Sequence, residues 1–80
     1  MDAVAERVQS VFRNVLNQSD LVLERETTAL DVDGWDSLAH IQILVALEKE
    51  FKIRIGTSDV IGLRNVGEMI DLVSSKLTSA

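Results

Sequence analysis

Cysteine is absent from this 80-residue chain, and so is proline. Without cysteine there is no disulfide framework, no thiolate metal site and no cysteine nucleophile. Long hydrophobic runs are missing too. The longest is "ILVAL" at 43–47, far short of the roughly 20 apolar residues that cross a bilayer. There is no internal repeat and no low-complexity tract. The opening "MDAVAERVQS" is charged and amphipathic and carries no apolar signal-peptide core, so a soluble, cytoplasmic protein without membrane insertion is expected. Basic charge is scarce: 8 Lys and Arg against 13 Asp and Glu, a net charge of −5. The segment 20–36 accounts for all of it, since Asp20, Glu24, Glu26, Asp31, Asp33 and Asp36 face Arg25 alone. Such a surface is a poor match for nucleic acid, where affinity comes from cations meeting phosphate. It suits a basic protein partner, because opposite potentials steer encounter.

With 46% hydrophobic and 26% charged residues, the chain is globular, and its length allows one domain, 1–80. A domain this small buries only about 60% of its unfolded surface and has little room for an enclosed active site. Val4, Val8, Val11, Phe12, Val15 and Leu16 recur at helical spacing, with Asp2 and Glu6 near the positive end of that helix. The periodicity fails at "NQSD", 17–20, and an irregular segment runs to Asp36. Loops of that length are uncommon in small domains and are often functional. Leu21, Val22, Leu23 and Leu30 are expected to tack it onto the core.

A second helix is expected from Ser37 to Phe51, capped by Asp36. It has more apolar positions than one face needs. Ile43, Leu44, Leu47 and Phe51 form one stripe, and Leu38, Ile41 and Val45 form another. One stripe should be core and the other exposed. "FKIRI" alternates briefly but is short and has no partner strand, and Gly56 ends it. "TSDVIGL" at 57–63 reads as a short helical turn capped by Thr57 or Ser58. Asn65 with Glu68 resembles a capping box opening a last helix with Val66, Met69, Ile70, Val73 and Leu77 on its apolar face. The expectation is all-α: a small four-helix bundle with a long loop between helices 1 and 2.

The stretch "DVDGWDSL", 31–38, carries the chemistry and admits three readings. A calcium loop needs oxygen ligands at positions 1, 3 and 5, glycine at 6 and glutamate at 12. Counting from Asp31, glycine falls at 4, Trp35 at 5 and Gln42 at 12; counting from Asp33, Trp35 falls at 3 and Leu38 at 6. That reading fails. A hydrolase needs a base against the serine, an acid behind the base and an oxyanion hole. His40 is the one histidine, three residues beyond Ser37, and no "GxSxG" elbow is present; an exposed surface histidine is the expectation. In the third reading Ser37 is displayed for another enzyme to modify. It follows a flexible glycine and stands at a helix N-terminus, where unsatisfied N–H groups and the helix dipole favour a phosphate ester. From the local residues, this reading and an unremarkable first-turn serine stand close to even.

"GWDSLAHIQILVALEKEFKIRI", 34–55, resembles the acyl carrier protein signature, in which Asp-Ser-Leu precedes a helix ending in a leucine- and glutamate-rich segment. The likeness extends over the whole chain in length and helix order. It implies a carrier whose serine, here Ser37, holds 4′-phosphopantetheine placed by a phosphopantetheinyl transferase using coenzyme A. It implies that Asp36 helps position the metal during that transfer and that Leu38 docks partners. Asp36, Ile41, Val45 and Glu48 extend the same expected docking face. The thiol then arrives on the arm, cargo rides as a thioester, and the protein itself catalyses nothing and binds no resident metal. Partners would be the transferase, an acyl- or aminoacyl-loading ligase, and downstream synthases or transferases, with the carrier a monomer.

The sequence departs from housekeeping fatty-acid carriers, which have a strongly acidic second helix. Here the outward positions after the serine read Ala39, His40 and Gln42, with Lys49 further on. Trp35 is more like discrete carriers of specialised pathways, so a polyketide, aminoacyl or surface-polymer route is as well supported as fatty-acid synthesis. Trp35 is expected to bury its ring and pin the serine rather than to face a partner. Lys49, Lys52 and Arg54 read as a solvated face, and Met69 as ordinary core. The rival from another class is a helical adaptor that carries no arm and uses the Leu38, Ile41, Val45 stripe as its partner groove.

Overall fold

The first helix, α1 (Ala3–Leu16), forms where the apolar spacing demands it, and buries Val8 and Phe12 completely with Ala5 and Val11 beside them. It stops because Asn17 turns left-handed at φ 55°. The Gln18 N–H then reaches back to the Arg13 carbonyl at 3.0 Å, which satisfies one of the carbonyls a helix end leaves orphaned. Asparagine tolerates this conformation better than most residues. The computed structural model describes residues 3–56, 58–59 and 63–79.

α2 (Ser37–Phe51) begins at Asp36, whose Oδ1 accepts from the Ala39 N–H at 2.8 Å. It ends in the same manner as α1. Lys52 is left-handed at φ 55°, and the Lys52 and Ile53 N–H groups both donate to the Glu48 carbonyl. The core stripe is Ala39, Ile43, Leu44, Leu47 and Phe51. The other stripe faces solvent: Leu38 is 65%, Ile41 59% and Val45 43% exposed. The two-stripe reading of this helix therefore holds.

α3 (Val66–Ser79) opens on a half capping box. Asn65 Oδ1 accepts from the Glu68 N–H at 2.9 Å, as expected, but the Glu68 carboxylate takes the Arg64 N–H rather than that of Asn65. Val66, Met69, Ile70 and Val73 are buried, and Leu77 sits at the rim. Its first two N–H groups, of Val66 and Gly67, donate to the carbonyls of Thr27 and Arg25. The long loop therefore satisfies donors that a helix start leaves open. The three helices pack pairwise around one core, and Arg7 ties α1 to the end of α2 by lying 4.4 Å over the Phe51 ring and bonding Glu50.

Among the described residues the fold is all-helical: three α-helices and one 3₁₀ turn, Ala29–Asp31, inside the long loop. Of the turn expected at 57–63, residues 57 and 60–62 lie outside the described residues. Two of the four loop residues expected to pack do not. Leu23 is buried and Leu21 half-buried, but Val22 is 69% and Leu30 98% exposed. The reason is geometric. Residues 21–24 carry no helical turn, so successive side chains alternate in direction, and the Leu23 N–H is fixed to Gln9 Oε1 at 2.8 Å. With Leu21 and Leu23 inward, Val22 must face out. Val32 and Trp35, both buried, supply the remaining anchors.

Candidate functional site

Asp36 takes the N-cap position of α2, which makes Ser37 the first helical residue and His40 the fourth. Trp35 precedes the cap. The spacing from Trp35 to His40 is that of a hydrophobic staple, in which the residue before the cap packs on the fourth helical residue and fixes the angle of chain entry. Here the staple is also polar. Trp35 Nε1 donates to His40 Nδ1 at 3.0 Å, with the two rings 18° from coplanar. Beneath it, the indole meets the Phe12 ring edge-on at 4.9 Å between centroids. Trp35 is buried, as expected, and it anchors the residues on either side of the serine.

His40 is half-buried rather than the exposed residue anticipated. Burial lowers its pKa from the ordinary histidine value of 6.5, because desolvation disfavours the charged ring. With Nδ1 accepting from the indole, the neutral ring carries its proton on Nε2. No hydrogen bond joins His40 to Ser37 among the described residues, so the pair forms no nucleophile and base. Nor does any group of three or more His, Asp or Glu among those residues converge as for a metal.

Ser37 is exposed and borders an open cleft of about 490 Å³ lined with Ala29, Trp35, Asp36, His40 and Ile41. Asp36 uses Oδ1 on its cap, and Oδ2 has no protein partner among the described residues. Leu38 is the serine's exposed neighbour, and Val45 continues the Leu38–Ile41 face along the helix. Glu48 stands apart from this group. It is half-buried, and its Oε2 accepts from the Ile55 N–H at 2.9 Å, tying down the segment after α2. Two of the three positions anticipated as outward also differ. Ala39 is buried and His40 half-buried, and only Gln42 is exposed. Ala39 lies one turn before Ile43 on the core stripe, which decides its direction.

The geometry fits an esterified serine. Ser37 is exposed at a helix N-terminus, where the first-turn backbone donors suit a phosphate, and the cleft adjoins it. The family model for the phosphopantetheine attachment site matches residues 6–73. The chain belongs to that family. Its members carry a 4′-phosphopantetheine arm covalently, and this protein is a phosphopantetheine-bearing carrier of the acyl carrier protein type. The chain is similar to the holo acyl carrier protein of Geobacter metallireducens, solved in solution by NMR. The two are 38% identical with a TM-score of 0.91 over 98% of this chain and 90% of that one. Carriers of this family are generally non-catalytic. The adaptor without an arm falls with the family match, while the stripe it invoked is exposed. No helix among the described residues is long and apolar enough to cross a membrane.

Proposed function

We propose that Ser37 is the residue that bears the arm and that residues 1–80 act as one carrier unit, handing thioester-bound intermediates from enzyme to enzyme while catalysing nothing itself. The observation that carries this is the exposed hydroxyl at the first position of α2, held by the Asp36 cap and the buried Trp35. In the loading step Ser37 Oγ attacks the pantetheine-bearing phosphorus of coenzyme A. The Oγ–P bond forms, the pyrophosphate P–O bond breaks, adenosine 3′,5′-bisphosphate leaves, and the hydroxyl proton passes to a base of the transferase or to water. Asp36 Oδ2, beside the serine, suits a role in holding the metal of that ternary complex. The arm supplies a thiol that this cysteine-free chain lacks.

Leu38, Ile41 and Val45 serve as the partner face on α2. The exposed side of α2 beside the serine is apolar and the acids concentrate in the loop. That distribution favours a dedicated pathway, with an acyl or aminoacyl cargo loaded by its own ligase and consumed by a downstream synthase or transferase. The carrier works as a monomer in the cytoplasm, where coenzyme A is supplied. Intact mass after incubation with coenzyme A and a broad-specificity phosphopantetheinyl transferase tests the assignment. The wild type should gain one arm, and Ser37→Ala should gain none while keeping its helical circular dichroism. An arm on Ser37→Ala would overturn the choice of residue.

A further inference from the structure

An exposed leucine needs no explanation by itself, since folded surfaces are more than half apolar. Leu30 differs from that default in three respects. It is 98% exposed, and yet the turn that carries it is pinned. The Thr28 N–H and Oγ1 both donate to Asp31 Oδ2, at 2.9 and 3.2 Å, and the Asp31 N–H returns to the Thr28 carbonyl at 3.0 Å. On either side the chain is fastened, by the Val66 N–H on the Thr27 carbonyl and by the buried Val32. A slack loop would let leucine fold back onto the protein; this turn holds it out. Second, its neighbour Ala29 lines the cleft that Ser37 and Ile41 share, so the turn that carries Leu30 borders the serine's cleft from the loop side. Third, Glu26, Asp31, Asp33 and Asp36 of the same segment are all exposed, and Arg25, the one cation of the segment, is bonded to Asp71 at 2.7 Å.

We propose that Leu30 is a loop-side anchor for the phosphopantetheinyl transferase, seating in an apolar pocket ringed by Lys or Arg. The acidic rim sets the sign of the partner's surface, because complementary potentials steer docking and suppress mismatched faces. The choice of partner follows from reach. Enzymes that act at the far thiol can meet the carrier on the α2 face alone, because their chemistry lies an arm's length from the serine. The transferase must bring the Ser37 hydroxyl itself to its reacting phosphorus, so it covers the residues around that hydroxyl. Leu30 on the loop and Leu38 with Ile41 on α2 then act together as a grip around the serine. The inference rests on the reading of Ser37 as the modified residue.

The test is steady-state transfer of the arm from coenzyme A by a broad-specificity transferase, followed by intact mass, with thermal melts of each variant. Leu30→Ala should lower kcat/KM about tenfold, as expected for one buried leucine side chain lost at an interface, mainly through KM and with an unchanged melt. Val22→Ala, equally an exposed apolar loop residue but not on the turn that borders the cleft, should react at the wild-type rate. Asp33→Asn with Glu26→Gln should slow transfer several-fold at low salt, and the deficit should shrink as salt screens the wild type. Wild-type kinetics for Leu30→Ala overturn the anchor while leaving the carrier reading intact. A lowered melt for Leu30→Ala also overturns it, since the side chain would then be packing in the free protein. A wild type that takes no arm overturns both.

Discussion

Trp35 Nε1 donates a 3.0 Å hydrogen bond to Nδ1 of His40 across the Asp36 cap, so the turn that presents Ser37 is braced on both sides by one ring pair. The bond requires a lone pair on Nδ1, and therefore a neutral imidazole at that nitrogen. Desolvation lowers the His40 pKa in the same direction. The brace is thus intact at neutral pH and weakens in acid.

The first prediction concerns pH. The folded-state pKa of His40 lies below 6.5, so between those two values the unfolded chain binds more protons than the folded one. The stabilising contribution is fully present above 6.5 and is lost as pH falls through the folded pKa. An NMR titration of the His40 ring should give a midpoint below 6.5, with the Trp35 indole N–H resonance moving at the same midpoint. Trp35→Phe removes the donor and should raise the His40 midpoint. A midpoint at or above 6.5 in the wild type would refute the brace.

The second prediction separates the two faces of α2. Leu47 is fully buried and Val45 43% exposed. Leu47→Ala should destabilise by about 2–5 kcal/mol through lost transfer energy and the cavity left behind. Val45→Ala should stay within about 1 kcal/mol and instead slow reaction with partner enzymes. Urea unfolding checks the first pair of values. Equal losses at the two positions would contradict the division of faces.

How far the sequence could be read depended on how local the cause was. The starts of α2 and α3 were legible because caps are local chemistry: Asp36 and Asn65 each bond an N–H three residues on. The exposed stripe was legible from periodicity. Ala39 was misread although the signal existed, since it repeats Ile43 and Leu47 at intervals of four and so shares their inward phase. The Trp35–His40 contact was likewise available from the staple spacing. Val22 and Leu30 were not legible. Which loop residue faces in is set by Gln9 and by the Thr28–Asp31 turn, contacts that hydropathy does not encode. The serine was visible as a motif, but its cleft depends on Ala29 coming close from another part of the chain.

A third prediction reverses an ordinary rule. Gly→Ala inside a helix usually stabilises by about 1 kcal/mol. At Gly67 an added Cβ would meet both the Cβ and the carbonyl oxygen of Arg25 at 3.0 Å, and that oxygen is held by the Gly67 N–H itself at 2.9 Å. The loop carbonyl must retreat from the donor it satisfies. Gly67→Ala should therefore destabilise by roughly 1–3 kcal/mol, as overpacking does, and should speed amide exchange at Val66 and Gly67. A stabilised variant would show that the loop yields freely.

The last prediction uses the two helix ends. Asn17 and Lys52 both sit at φ 55°, where a Cβ crowds the following carbonyl, at a cost of roughly 1–2 kcal/mol for an ordinary residue. Glycine removes that cost, although it also gains freedom in the unfolded chain, which offsets part of the benefit. Asparagine already tolerates the conformation, whereas lysine has no local hydrogen bond that compensates. Lys52→Gly should therefore stabilise by about 0.5–1 kcal/mol, and Asn17→Gly by less. Lys52 is exposed and its side chain makes no ion pair among the described residues, so its removal loses little packing. Paired thermal melts decide the matter. If Asn17→Gly gained as much as Lys52→Gly, backbone strain at the left-handed position would not be what distinguishes the two helix ends.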